Sequence, residues 1–164
     1  MVATPLSSRT NPLVQRARRI GADPAARRET GCYLAEGIRL VEEALGAGAE
    51  IEQIFVSPRL NVTERGRTLL QRVRKSPGIL VEATDGVLDA IVDAETSQGV
   101  LAVLHAPGSD RIPAEGADPC FWVVGWGLQD PGNLGTLLRT ADAAGADLFL
   151  TVPGTADPTA PTVD

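Results

Sequence analysis

Gly99-Val100-Leu101-Ala102-Val103-Leu104 is the stretch whose reading decides the fold. It runs without a polar side chain, which is the pattern of a strand buried on both faces. Such a strand needs a helical layer above and below it, and the flanking sequence supplies both. Residues 37–45 place Ile38, Val41 and Leu45 at helical spacing with Glu42 and Glu43 outward; residues 64–75 do the same with Leu69, Leu70 and Val73. Residues 32–35, 51–56 and 79–82 read as further strands, Ser57-Pro58 as a turn and residues 85–92 as a short helix. Near the start, Asn11 before Pro12 has the form of an N-cap and first helical residue. It opens a helix to Ile20 with Leu13, Arg16, Ala17 and Ile20 on one side and Arg18 and Arg19 more exposed. Strands alternating with helices predict an α/β layer sandwich over residues 1–106.

Beyond this sandwich, residues 106–119 carry three prolines and two glycines, and 107–119 is expected to be a linker. A second unit, 120–164, opens with the strand Phe121-Trp122-Val123-Val124. A helix from Leu134 to about Ala144 and a strand over 147–152 follow, the beginning of a β-α-β arrangement. One strand, one helix and one strand give too little apolar surface for a well-buried core.

The composition fits this division. The chain has 164 residues, 43% hydrophobic and 22% charged, which excludes a disordered tail, a collagen-like chain and a coiled-coil rod. No apolar run approaches the roughly 20 residues that span a bilayer, and residues 1–11 lack the apolar core of a secretory signal, so a cytoplasmic protein is expected. Cys32 and Cys120 stand far apart without metal-ligand neighbours, so neither a disulfide nor a zinc site is expected. The net charge of -6 is unevenly spread. Residues 1–75 hold thirteen of the fifteen Lys and Arg and eight of the twenty-one acids, a net +5; residues 76–164 carry -11. A polyanion responds to the local field, because salt screens charges beyond about 8 Å. Fourteen of the fifteen bases are Arg, whose planar fork suits a phosphate, although a merely solvated basic face has the same composition.

The densest chemistry lies in Gln129-Asp130-Pro131-Gly132-Asn133-Leu134-Gly135-Thr136-Leu137-Leu138-Arg139-Thr140-Ala141. Pro131-Gly132 predicts a turn, Asn133 a helix cap, and Gly135 a close approach of a ligand or another backbone in the first helical turn. Arg139 is then, with Arg111 of the linker, one of only two cations in an acidic half, suited to a phosphate or a developing negative charge. A plain cap and a surface Arg would read the same way.

Asn133-x-Gly135-x-x-x-Arg139-Thr140-Ala141, preceded by Gln129-Asp130-Pro131-Gly132, resembles the first signature motif of the SpoU-type (TrmH-like) RNA 2′-O-ribose methyltransferases of the SPOUT superfamily. Residues 35–45, 54–58 and 96–100 are similar to that family's N-terminal substrate-binding domain. The resemblance runs from about Ser8 to about Pro161. It implies a small three-layer RNA-binding α/β domain followed by the first β-α-β unit of an α/β-knot methyltransferase domain. It also implies S-adenosylmethionine as methyl donor, no metal, and a structured RNA, ribosomal or transfer, as partner. Arg139 and Asn133 match the family's catalytic positions, while Arg9, Asn11, Arg16, Arg19, Arg28 and Arg39 would grip the RNA backbone by analogy. Arg39 could equally pair with Glu36 or Glu43 on its own helix.

Two later family motifs are not present: a Gly-Asn-Glu-Gly-type loop, and a Ser-Leu-Asn segment before an apolar helix. In the family these build the knot that holds the donor and much of the homodimer interface. The chain is therefore expected to be incomplete or inactive by itself, the donor-binding motifs lying beyond its end. The alternative is a non-catalytic RNA-binding module that keeps the family's N-terminal domain. A dinucleotide-binding oxidoreductase fails, because Asp130 stands where the third glycine of G-x-G-x-x-G belongs. His105, the one histidine, reads as structural at the end of an apolar strand, which leaves a metal hydrolase unsupported. No Ser stands in a nucleophile elbow.

Overall fold

A computed structural model of the chain describes residues 4–75, 79–92, 97–106 and 121–160. They fall into two compact units, one ending at Ala106 and one beginning at Pro107. The expected linker and Cys120 lie outside the described residues.

The first unit runs α1 (Pro12–Ala22), α2 (Pro24–Thr30), β1 (Cys32–Glu36), α3 (Ile38–Gly46), β2 (Ile51–Val56), α4 (Glu64–Val73), β3 (Ile79–Glu82), α5 (Asp85–Val92) and β4 (Val100–His105). Its sheet has the order β1-β4-β2-β3. β4 is antiparallel to both neighbours, while β2 and β3 are parallel across the α4 crossover. The apolar run therefore lies inside the sheet, and Val100 to Leu104 are each at most 1% exposed. Their side chains alternate between two cores, as the pleat requires. Leu101 and Val103 pack with Val14, Ala17 and Ile20 of α1 and with Val87, Leu88 and Ile91 of α5. Val100, Ala102 and Leu104 pack with Val41 of α3 and with Leu69 and Val73 of α4. Two helical layers enclose one sheet.

The buried stripe of α1 is Val14, Ala17 and Ile20, not the expected one through Leu13, which is 37% exposed. Both stripes satisfy helical spacing; packing of α1 on α5 selects Val14. The helix α2 is an addition to the elements expected from the sequence. Asp23 caps it by accepting from the Ala25 N–H at 2.8 Å, with Pro24 at the first position. Arg27 of α2 is 6% exposed and donates to the Ile20 and Gly21 carbonyls at 3.0 and 2.9 Å, satisfying groups that the end of α1 leaves unpaired.

Two close approaches lock the entry to β4. A 3₁₀ turn, Pro58–Val62, carries the buried Leu60 between Gly66 and Gly99. A Cβ on Gly66 would stand 1.9 Å from the Leu60 carbonyl oxygen; Gly99 has φ +82° and its Cβ would stand 2.4 Å from the Leu60 nitrogen. Only glycine fits either position. Beside them Arg59 donates to Asp89 at 2.8 Å and to the Ser97 carbonyl at 3.0 Å, while the Ser97 N–H donates to Asp89 at 2.9 Å. The Arg59 hydrogen bond, then that of the Ser97 backbone, holds the Asp89 carboxyl down at about 2.

The second unit comprises β5 (Trp122–Gly125), α6 (Pro131–Ala143) and β6 (Leu148–Thr151), with β5 and β6 parallel. This is the β-α-β arrangement expected. Among its described residues Gly125, Leu134 and Ala141 alone are buried. Val124 is 52% and Trp126 82% exposed. The unit is an open ribbon with one helix on it.

Candidate nucleic-acid interface and the α6 motif

The expected cap at Asn133 is corrected by the structure. α6 begins three residues earlier than Leu134, and Asp130 caps it: its Oδ1 accepts from the Asn133 N–H at 2.7 Å. Pro131 takes the first helical position, where its missing N–H costs nothing. Asn133 is thus the third residue of the helix. Its carboxamide is exposed and makes no hydrogen bond among the described residues, which frees it for a ligand. The strand-to-helix loop before it is held from the other side. The Thr155 hydroxyl donates to the Gly125 carbonyl at 3.0 Å and accepts from the Gly127 N–H at 3.1 Å. Nothing in the structure explains Trp126.

Arg139 lies further along α6. Its side chain leans toward the helix start, as helical side chains do, and its Nη2 donates to the Thr136 hydroxyl at 3.3 Å. Arg139 lies over Gly135 one turn back, where a Cβ would stand 3.5 Å from its Nη1, an ordinary contact. Arg139 is exposed and has no carboxylate partner among the described residues. Gly135 and Arg139, four residues apart, share one side of α6, while Asn133 stands on another side of its first turn, beyond the carboxyl end of β5.

The six residues expected to grip a nucleic acid are all in the first unit, and they differ in state. Arg9 and Arg28 are exposed and form no ion pair among the described residues. Arg18, exposed on α1, has the same character, although the sequence does not single it out. Asn11 caps α1, its Oδ1 accepting from the Leu13 N–H at 2.9 Å. Arg19 pairs with Glu29 at 2.8 Å, and Arg39 with Glu43 of its own helix at 2.9 Å, whereas Glu36, the other expected partner, ends β1. Both pairs are exposed, and such pairs are worth roughly 0–1 kcal/mol, so a phosphate can replace the carboxylate cheaply. Arg16 is held more firmly: its Nη2 donates to Glu52 Oε2 at 2.9 Å and its Nη1 stands 2.7 Å from Oε1. Arg16 and Arg19 line one groove between α1 and α2, about 340 Å³ in volume, with Pro12, Gln15, Ala26 and Thr30.

Glu52 belongs to a cluster that no sequence spacing reveals. Cys32 of β1 and His105 of β4 stand opposite each other in the antiparallel register, with Sγ and Nδ1 3.5 Å apart. The Cys32 thiol donates to Glu52 Oε2 at 3.4 Å, and His105 Nε2 lies 3.6 Å from the same oxygen. Burial, then the hydrogen bond to Glu52, pushes the Cys32 thiol above its usual range. These three side chains are the ones among the described residues that could together hold a metal ion. Also among those residues, no helix is long and apolar enough to cross a membrane.

Known proteins resemble this chain in sequence and in fold. A family profile described as "MRM3-like substrate binding domain" matches residues 11–102. The 23S rRNA (guanosine(2553)-2′-O)-methyltransferase RlmP of Bacillus subtilis is 34% identical over 131 residues, covering 80% of this chain and 48% of that protein. The mitochondrial rRNA methyltransferase 3A of Danio rerio is 34% identical over 154 residues, covering 90% of this chain and 34% of that protein. The AdoMet-bound rRNA methyltransferase from Sinorhizobium meliloti superposes with a TM-score of 0.76 at 29% identity, covering 96% of this chain and 57% of that one. The chain thus spans between a third and just over half the length of these relatives. The profile covers more than half of the chain, which belongs to the family of the MRM3-like substrate-binding domain, its homologues being SpoU-type rRNA 2′-O-methyltransferases.

Proposed function

We propose that this chain is the RNA-gripping part, with the first catalytic helix, of a cytoplasmic methyltransferase that modifies the ribose 2′-hydroxyl of ribosomal RNA. The observation that carries the reading is the pairing of two features in one chain. A basic substrate-binding unit precedes an α6 on which Asn133 and Arg139 stand exposed, without carboxylate partners among the described residues. Residues 1–106 form the RNA-binding domain, and the residues after the 107–119 linker begin the methyltransferase domain. In the family the donor is S-adenosylmethionine, and two copies pair through their catalytic domains.

The described residues of the second unit do not fit that donor by themselves. Trp122 and Val124 of β5 are exposed, and α6 buries only Leu134 and Ala141 among those residues, so an open ribbon stands where a nucleoside cradle would be needed. The chain's own side chains act on the RNA. A 2′-hydroxyl is a weak nucleophile that must lose its proton as it reacts. Arg139 binds the phosphate beside that hydroxyl, and its fixed charge stabilises the oxyanion that develops. Asn133, freed from capping by Asp130, orients the same nucleotide. Arg9 and Arg28 contribute directly to phosphate binding, while Arg16, Arg19 and Arg39 exchange a carboxylate for a phosphate; the Asn11 amide adds a donor beside them. Such contacts position the RNA and carry no sequence information.

A chimera tests the reading. Residues 1–160 of this chain are continued into the remaining C-terminal part of the Bacillus subtilis relative and offered labelled S-adenosylmethionine with unmodified ribosomal RNA. Label in an alkali-resistant linkage that disappears in Arg139→Ala, while RNA affinity stays nearly constant, is the expected result. RNA binding without transfer in a folded chimera supports the second reading, a non-catalytic RNA-binding module. Equal loss of RNA affinity and transfer in Arg139→Ala makes Arg139 a binding residue only.

A further inference from the structure

The geometry points to a zinc-binding site formed by Cys32, Glu52 and His105 at one end of the first unit's sheet. Three strands contribute one ligand each, and the potential donor atoms lie within 4.8 Å of one another. A thiolate, an imidazole and a carboxylate are the donor set of a borderline-soft ion that favours four-coordination. Bonded to one tetrahedral zinc at about 2.0–2.3 Å, such atoms lie roughly 3.3–3.6 Å apart. The Cys32 Sγ to His105 Nδ1 and Cys32 Sγ to Glu52 Oε2 separations are 3.5 and 3.4 Å.

The backbone is arranged to make this meeting possible. In β2 the pairing with β4 slips between Ile51 and Gln53, which leaves Glu52 as the extra residue of a β-bulge. Counting back from Phe55 in an unbroken strand, Ile51 would face α1 and Glu52 would face α3 and α4. The bulge reverses both. Ile51 packs in the α3–α4 core, and Glu52 reaches Cys32 and Arg16 on the α1 side. Bulges re-aim side chains in this way beside functional sites.

Arg16 completes the surroundings. A carboxylate has about four acceptor positions, two on each oxygen, so Glu52 Oε2 can keep the Arg16 Nη2 hydrogen bond at 2.9 Å and still offer a lone pair to the ion. Arg16 is then the outer hydrogen-bond partner that orients a ligating carboxylate. The thiolate and the carboxylate together balance a doubly charged cation, and the thiol proton leaves to solvent on binding. The α1–α2 groove lies beside the site. It is lined by Arg16 and Thr30, and both touch Cys32: the Thr30 carbonyl oxygen lies 3.4 Å and Arg16 Nη2 3.9 Å from Sγ. With the His105 side chain 37% exposed, the fourth position is open to water.

Cobalt(II) titration of the full 164-residue chain, kept reduced, tests the site. Tetrahedral thiolate-bound cobalt absorbs by sulfur-to-metal charge transfer, and zinc bleaches the signal as it displaces cobalt. One equivalent is expected, with the band lost in Cys32→Ser and binding weakened at least about tenfold in His105→Ala and in Glu52→Gln. Cys120→Ser should bind as the parent chain does. Circular dichroism of each variant separates lost ligation from lost folding. Glu52→Gln and His105→Ala change solvent-accessible side chains, so at least these two report on ligation. No charge-transfer band in the folded parent chain overturns the site, as does a band that survives in Cys32→Ser but vanishes in Cys120→Ser. Binding unchanged in both His105→Ala and Glu52→Gln overturns it too, and leaves the trio a hydrogen-bonded cluster around Arg16.

Discussion

The two units of this chain solve the same problem with unequal means. In the first, β4 lies inside a four-stranded sheet, and helices cover both faces of Val100 to Leu104. In the second, two parallel strands carry one helix and leave Trp122, Val124 and Trp126 in solvent. Burial of apolar surface is the chief stabilising term, at roughly 25 cal/mol per Å², so the first unit has most of the chain's folding free energy. The first unit is closed on both faces of its sheet. The unit that presents Asn133 and Arg139 keeps its apolar side open. A substrate platform can fold alone, whereas a β-α-β unit needs further cover before its loops hold a reacting nucleotide in place.

That contrast is open to direct attack. The largest effect should appear in amide hydrogen exchange. The β4 amides should exchange only through global unfolding, and those of β5 and β6 at least about a hundredfold faster, through local opening. Equal protection would mean that the two units share one cooperative core. Truncation gives the next effect. Phe55→Ala should cost about 3–5 kcal/mol in denaturant unfolding, because Phe55 is fully buried, while Trp122→Ala should cost less than about 1. A Trp122 penalty as large as that of Phe55 would show the β5 face to be covered. Gly66→Ala should cost about 1–3 kcal/mol, because the Leu60 carbonyl leaves no room for a methyl. The smallest effect concerns pH. Asp89 has its folded pKa lowered to about 2 from 3.8, so its contribution is fully present above about pH 4 and is lost as pH falls through about 2. Asp89→Asn should flatten that part of the stability curve of the first unit and leave exchange in the second unit unmoved.

Much of the fold is legible in the residues, for physical reasons. β2, β3 and α5 are bounded by turn residues and have clean periodicity, and their predicted limits coincide with the observed ones. The capping errors share a cause. Asn11-Pro12, Asp23-Pro24 and Asp130-Pro131 all open helices in the same way, an Asx side chain capping and Pro at the first position. Applied at each of the three, the rule that reads Asn11 as a cap finds α2 and releases Asn133 from the capping role. The Arg16–Glu52 pair and the Cys32–Glu52–His105 cluster are not legible. They depend on strand register and on a bulge, which residues far apart in the chain do not announce. For the same reason charge counting cannot separate Arg9, Arg18 and Arg28, which are free of carboxylates among the described residues, from Arg19 and Arg39, which are not.

The most direct test of the central claim, that the first unit holds structured RNA by its arginines, is the salt dependence of binding. Affinity of the purified chain for a structured ribosomal RNA fragment is measured from low to high salt, beside a variant with Arg9, Arg18 and Arg28 changed to Gln. Each lost phosphate contact lowers the slope of log affinity against log salt by somewhat under one unit. The account predicts a steep slope for the parent chain, and for the variant a slope shallower by about two to three with weaker binding to every RNA tried. An unchanged slope in a folded variant would contradict it and remove the first unit from the RNA interface.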